Sequence, residues 1–219
     1  MALIVGVIQV KGGVGRSTIA TNLAAAFSTK GPTLLIDCDL PQATSASWFK
    51  VRQDEIPSST LALATVNDYR ELVACVKDAG ADSRYIVIDG PPRLAAMTRA
   101  IMILSRMNLV PIGASAAEIW STADLLKTVA EARAFKPDVD VRIVWNRFRQ
   151  NTREARELSG AVRNEFKLPE LETRLGYRVA YSEALARGLS ADEWLDRNAH
   201  AEITALAVEV LNIVEEKKR

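Results

Sequence analysis

Residues 9 to 18 read QVKGGVGRST, which packs three glycines, two cations and two hydroxyls into ten positions. Glycines let a backbone turn tightly and present successive N–H groups to an anion. The apolar run ALIVGVI (2–8) precedes the loop, and a helix-like stretch (16–29) follows it. Strand, glycine turn and helix N-terminus together make a phosphate cradle, because the helix dipole adds a favourable field for negative charge. Such loops are usually written G-x-x-x-x-G-K-[ST]. Here Arg16 fills the lysine slot, and a separate lysine, Lys11, stands at the front. Arginine keeps the charge but is bulkier and forked, so the geometry of the contact changes. Ser17 is placed where its hydroxyl can ligate Mg²⁺.

Three further groups follow strand-like runs. Asp37-Cys38-Asp39-Leu40-Pro41-Gln42 follows TLLID (33–37), Asp89-Gly90-Pro91-Pro92 ends YIVID (85–89), and Asn146-Arg147 follows VRIVW (141–145). An acid at the end of a buried strand has few structural reasons to be there, since burying it unpaired is costly. A side-chain amide offers both a donor and an acceptor, which suits recognition of a base.

The elements that must position these residues are legible as alternation. ALIVGVI, TLLID, YIVID, NLVPI (108–112) and VRIVW are nearly continuous apolar runs, as strands covered on both faces are. Helical patterns at 16–29, 68–79, 117–134, 152–166 and 199–216 separate or follow them. This predicts an α/β fold, a doubly wound, mostly parallel sheet flanked by helices, with residues 1–219 as a single domain. QDEIPSST (53–60) is the candidate long surface loop. Ligands of such sheets sit at the carboxyl ends of the strands, where the informative residues fall.

Composition excludes several classes. The chain of 219 residues is 48% hydrophobic and 25% charged, with net charge +1, which argues against a uniformly basic surface but allows a local patch. The two cysteines, Cys38 and Cys75, have no C-x-x-C spacing and suggest neither a disulfide framework nor a zinc site. The apolar N-terminus lacks a basic lead and runs into the glycine loop, so it does not read as a signal peptide. No apolar run reaches the roughly 18 residues of a membrane span. A cytoplasmic protein is expected.

The motif K-G-G-x-G-[KR]-[ST]-T resembles the deviant phosphate loop of the ParA/MinD family of ATPases. Asp37 to Gln42 resembles that family's D-x-D-P-Q segment with Leu40 inserted, so the roles of Asp37 and Asp39 stay open between them. Asp89 to Pro92 resembles its D-x-P-P switch. Residues 110–120 resemble P-x-x-P-S-x-x-D-x-W loosely, with Glu118 in place of the acid, and Arg174 to Gly188 resembles the segment that closes over the base. The likeness runs from residue 2 to about 190, and the short chain is most similar to the small plasmid-partition ParA subgroup.

The resemblance implies ATP and Mg²⁺ as cofactors, with Lys11, Gly12, Gly13, Val14, Gly15, Arg16, Ser17 and Thr18 around the phosphates and Asn146 at the adenine. It implies Mg²⁺ at Ser17, Asp89 and Asp37. Asp39 and Asp37 would orient the attacking water, and Lys11 would reach across an ATP-dependent homodimer to the partner's phosphates. Arg16 would carry the charge within the chain, and hydrolysis would be slow.

Partition members of the family bind non-specific DNA as dimers and release it when a cargo-adaptor protein stimulates hydrolysis. That implies a nucleoid-associated location, with Arg174, Arg178 and Arg187 as expected DNA contacts. Between Arg142 and Arg187 lie ten basic residues and six acidic ones, which also fits an ordinary solvated helix face with i,i+4 pairs such as Arg153 with Glu157. The tail AEITALAVEVLNIVEEKKR reads as a helix packed on the sheet rather than a membrane anchor. Two alternatives on the same fold are an ATP-dependent small-molecule kinase or synthetase, and a nucleotide-binding scaffold with little hydrolysis.

Overall fold

The computed structural model describes residues 2–40, 42–57, 60–92, 95–113, 115–149 and 153–216, with the backbone alone at 117, 121 and 153–156. The apolar runs form strands β1 (Leu3–Val7), β2 (Thr33–Asp37), β4 (Tyr85–Asp89), β5 (Met107–Ile112) and β6 (Val141–Phe148). Two further strands, β3 (Leu61–Thr65) and β7 (Glu170–Gly176), complete a seven-stranded sheet of order β3-β2-β4-β1-β5-β6-β7, every pairing of it parallel. This is the doubly wound α/β fold expected.

The helices are α1 (Arg16–Ser28), α2 (Thr44–Glu55), α3 (Tyr69–Ala79), α4 (Ala95–Leu104), α5 (Ala116–Phe135), α6 (Arg153–Phe166), α7 (Ala180–Ala186) and α8 (Arg197–Glu216). One core, with Phe27, Trp48, Tyr181 and Val210, packs α1, α2, α7 and α8 on one face of the sheet. The other, with Leu72, Ile101, Leu125 and Phe166, packs α3 to α6 on the opposite face. Right-handed crossovers require this division, since β1 to β3 step one way across the sheet and β3 to β7 step back. On the return, α4 lies directly over β1: a Cβ on Gly6 would stand 2.5 Å from Ile101 Cγ2.

Several boundaries differ from the expectation. The strands not anticipated, β3 and β7, are the two sheet edges, where half-exposed residues replace the continuous apolar run of an interior strand. The edge at β7 is protected by α8, whose Glu209 accepts from Glu172 N (2.7 Å) and Thr173 N (2.9 Å) while Glu202 accepts from Gly176 N (2.9 Å). The tail is thus a helix packed on the sheet, as expected. Residues 53–55 of the supposed loop QDEIPSST are the last turn of α2, and 58 and 59 lie outside the described residues. Asn146 and Arg147 do not follow a strand but lie within β6, which continues to Phe148 through an irregular stretch.

Candidate functional site

Register brings the acids together: Asp89 pairs with Val7 on one side and with Asp37 on the other, at the carboxyl ends of β1, β2 and β4. From β1 the chain turns through Gly13 (φ 77°) and Gly15 (φ 95°), and Gly15 caps α1. A side chain at Gly15 would be strained by the left-handed backbone and would meet Asn146 Nδ2 at 2.1 Å. That amide lies behind the loop. Its Nδ2 donates to Val14 O (2.8 Å) and its Oδ1 accepts from Arg147 N (2.9 Å), so here it braces the loop.

A cavity of about 370 Å³ opens over Gly12, Gly13, Gly15, Arg16, Ser17 and Thr18. Its rim includes Asp39, Gln42, Thr44, Pro92 and Arg147. Gly12 and Gly13 face open space, as a cradle for phosphate oxygens must. Lys11 is half-buried at the front of the loop, and among the described residues nothing pairs with its ammonium.

Arg16 lines the same cavity and is also tied to protein groups. It is buried, its Nε donates to Gly90 O (2.8 Å), and its Nη1 donates to Gln9 O (2.9 Å) and Lys11 O (2.5 Å). Nη2 lies 3.6 Å from Asp39 Oδ2. Burial lowers the guanidinium pKa, while Asp89 and Asp39 oppose that. Arg16 thus combines a place on the cavity lining with bonds to carbonyls of its own chain.

The acids divide the work. Asp37 is fully buried, and its two oxygens accept from Asp39 N and Ala46 N, both at 2.9 Å, so it pins the turn that leads into α2. Burial raises the Asp39 pKa, and Arg16 offsets part of that. Asp39 faces the cavity, as a water-orienting acid requires. Asp89 is pushed up to about 7, first by burial, with the hydroxyls of Ser17 and Ser45 pulling the other way and Asp37 adding to the rise.

Ser45 Oγ donates to Asp89 Oδ2 (2.7 Å), whereas the buried Asp89 Oδ1 has no hydrogen-bond partner among the described residues. A carboxylate oxygen orphaned beside a hydroxyl is what a hard cation would satisfy, so Asp89 and Ser17 fit Mg²⁺, which takes few protein oxygens and keeps the rest for phosphate and water. In keeping with that, no cluster of three or more metal-ligating side chains occurs among the described residues. Cys38 sits beside these acids, and burial with their charge pushes its thiol up, away from the thiolate a cluster ligand would need.

Some site residues escaped the sequence reading. Ser45 has no motif of its own, and only the turn pinned by Asp37 brings it to Asp89. Arg147 was counted merely as a basic residue, but its left-handed backbone (φ 53°) puts it on the cavity rim. Glu118 was matched to an acid of unknown purpose. It takes Gly113 N on its Oε2 (2.5 Å), while the N-cap Ser115 Oγ accepts from Glu118 N (3.3 Å). Trp48 is buried in the core, and its Nε1 donates to Leu189 O (3.0 Å). Pro41 and Ala114 lie outside the described residues.

The three expected DNA contacts all have partners within the chain. Arg178 is paired with Glu202 (2.7 Å), Arg174 lies over the Phe148 ring (4.6 Å) and 4.0 Å from Glu170, and Arg187 stacks on Trp194 (4.7 Å). The exposed Arg149 lies over the Tyr177 ring (5.1 Å), which is itself 63% exposed.

A glycine loop entering a helix at the centre of a parallel sheet, with an acid at the end of the adjacent strand, defines a P-loop nucleotide-binding protein. Residues 5–191 match the model of the CobQ/CobB/MinD/ParA nucleotide binding domain. The chain belongs to that family and is an ATPase of its ParA/MinD/McdA branch. It is similar to the Maintenance of carboxysome distribution protein A of Gloeobacter kilaueensis (32% identical, 90% of this chain, 87% of the relative). The protein of the same name from Halothiobacillus neapolitanus is 27% identical, with 96% of this chain and 97% of the relative covered. The fold matches the septum site-determining protein MinD of Pyrococcus horikoshii, solved with Mg-ADP (TM-score 0.74, 19% identity, 96% of each chain).

Proposed function

We propose that this ATPase positions a cargo by an ATP-gated dimer on DNA. The loop N–H groups and the N-terminus of α1 bind the phosphates of ATP, and Asp39 orients the attacking water. Asp89 and Ser17 would hold Mg²⁺, which supplies charge neutralisation at the phosphates, and Asn146 would turn its amide to the adenine. Two chains close face to face, with Lys11 of each reaching the other's phosphates. The dimer grips DNA without sequence preference in the cytoplasm, and an adaptor protein on the cargo stimulates hydrolysis and release. The relatives named for carboxysome distribution favour a protein assembly over a plasmid as that cargo.

One observation carries this reading: among the described residues nothing pairs with the ammonium of Lys11 at the front of the loop, whereas Arg16 bonds three carbonyls of its own chain. A cation left uncommitted at the front of a phosphate loop suits phosphates that arrive from a second chain. Sedimentation of wild type and Lys11→Ala with ADP, ATP or a slowly hydrolysed analogue, with and without non-specific duplex DNA, tests it. Wild type is expected to dimerise and bind DNA only in the triphosphate state, and the variant to do neither. A wild-type chain that stays monomeric and ignores DNA in every state would exclude the trans lysine and favour a small-molecule kinase.

A further inference from the structure

A second cavity, of about 840 Å³, opens at the amino end of β1, the end of the strand away from the phosphate loop. It is more than twice the size of the cavity over that loop. Its apolar lining comes from Leu3 and Ile4 of β1, Val76 of α3, and Ile103 and Leu104 of α4. Lys77, Arg106 and Lys136 share that lining with a single acid, Asp138. Small-molecule sites are clefts of about 300 to 1,000 Å³, largely apolar, with a few polar groups converging on them.

The cations decide what such a ligand must carry. Lys136 is half-buried, and its ammonium donates to Ile103 O (3.0 Å) and Ser105 O (3.5 Å). Those bonds hold the charge in place and leave one of its three donors over. They also answer carbonyls at the negative end of α4, so Lys136 serves there as a cap. A cap alone needs no apolar cavity beside it. Lys77 stands exposed in the last turn of α3, and among the described residues neither lysine pairs with a carboxylate.

We infer that this cavity binds an anionic amphiphile, an unbranched acyl chain whose carboxylate meets the ammonium groups of Lys77 and Lys136. The chain covers the apolar lining, and the charged head keeps the partners that a carboxylate leaving water requires. The phosphate loop leaves the other end of β1, so nucleotide and amphiphile can be bound together.

Calorimetric titration of decanoate into the full chain, with and without saturating Mg-ADP, tests the site. One decanoate is expected per chain in either state. Octanoate should bind more weakly by about fourfold for each methylene lost, and decanol by about tenfold or more. Ala2→Trp adds an indole to the lining and should abolish binding. Lys77→Gln with Lys136→Gln should weaken decanoate by about tenfold or more and leave decanol unchanged. Should that double variant not fold, Lys77→Gln alone decides, with a loss of about threefold expected. Absence of decanoate binding, displacement by Mg-ADP, or full binding by Ala2→Trp would overturn the site. Decanol binding as tightly as decanoate would overturn the carboxylate and give the cavity to an uncharged group, such as an apolar side chain of a partner protein.

Discussion

Asp89 shows at the scale of a single residue how a site is held ready at the expense of stability. Its carboxyl is raised to about 7 in the folded chain, chiefly by burial, against an ordinary value near 4. A raised acid binds a proton more readily when folded than when unfolded, so its contribution to stability falls as pH climbs from about 4 to about 7. Asp89→Asn removes this cost and keeps an oxygen for Ser45. The variant without metal is expected to match wild type near pH 4 and to exceed it by a few kcal/mol, as an order of magnitude, above pH 7. Chemical denaturation at the two pH values checks this. The same substitution should abolish stabilisation by Mg-ADP, because the orphaned Oδ1 is lost. A variant no more stable than wild type at pH 8 would mean that Asp89 is already compensated within the chain.

At the scale of elements, legibility followed burial. Interior strands with both faces covered must be apolar throughout, and TLLID and YIVID were bounded to the residue. The edges β3 and β7, the short α7, and helices α2 and α4 lacked that signal. In α2 only Ser45, Trp48 and Arg52 are buried, so its pattern is nearly all polar. The start of α5 held a signal that went unread: Ser115 and Glu118 have the S-x-x-E spacing of a helix start, with Ser115 capping Glu118 N and Glu118 taking Gly113 N. Ser115→Ala should cost about 1 kcal/mol and lower Tm by roughly 3 °C in a chain of this size. A calorimetric scan checks it, and an unchanged Tm would mean the cap is satisfied by water.

At the scale of the whole molecule, the sheet order decides which cations share a surface. The ends of β6 and β7 bring Arg149, Arg174 and Tyr177 around one cleft, where Arg149 and Arg174 each lie over an aromatic ring. Arg178 lines the same cleft in a tighter ion pair, 2.7 Å from Glu202 against 4.0 Å between Arg174 and Glu170. If the dimer grips DNA, this edge presents its contacts twice. The double variant Arg149→Ala/Arg174→Ala should then flatten the dependence of log affinity on log salt by about 2 to 4, since each phosphate contact adds nearly one. Arg178→Ala should leave that slope nearly unchanged and lower stability, by exposing Glu202 unpaired beside Gly176 N. Fluorescence anisotropy on duplex DNA over a salt series separates the two. An equal fall in slope for both variants would show that the Arg178 pair opens on DNA.

The local chemistry of the site was determined by sequence alone. A glycine loop between strand and helix can cradle phosphate because turn, N–H array and dipole are properties of adjacent residues. The acids closing β2 and β4 and the class of fold were legible for the same reason, since each is a pattern of neighbours. Only the tertiary structure decided what each charge does. Arg16 lines the cavity and reaches Gly90 O, 74 residues away. Asn146 stands against Val14 across 132 residues, and Ser45 meets Asp89 across 44. Contacts of that separation follow from strand order and crossover hand, so the role of a side chain is set by which distant backbone the sheet delivers to it.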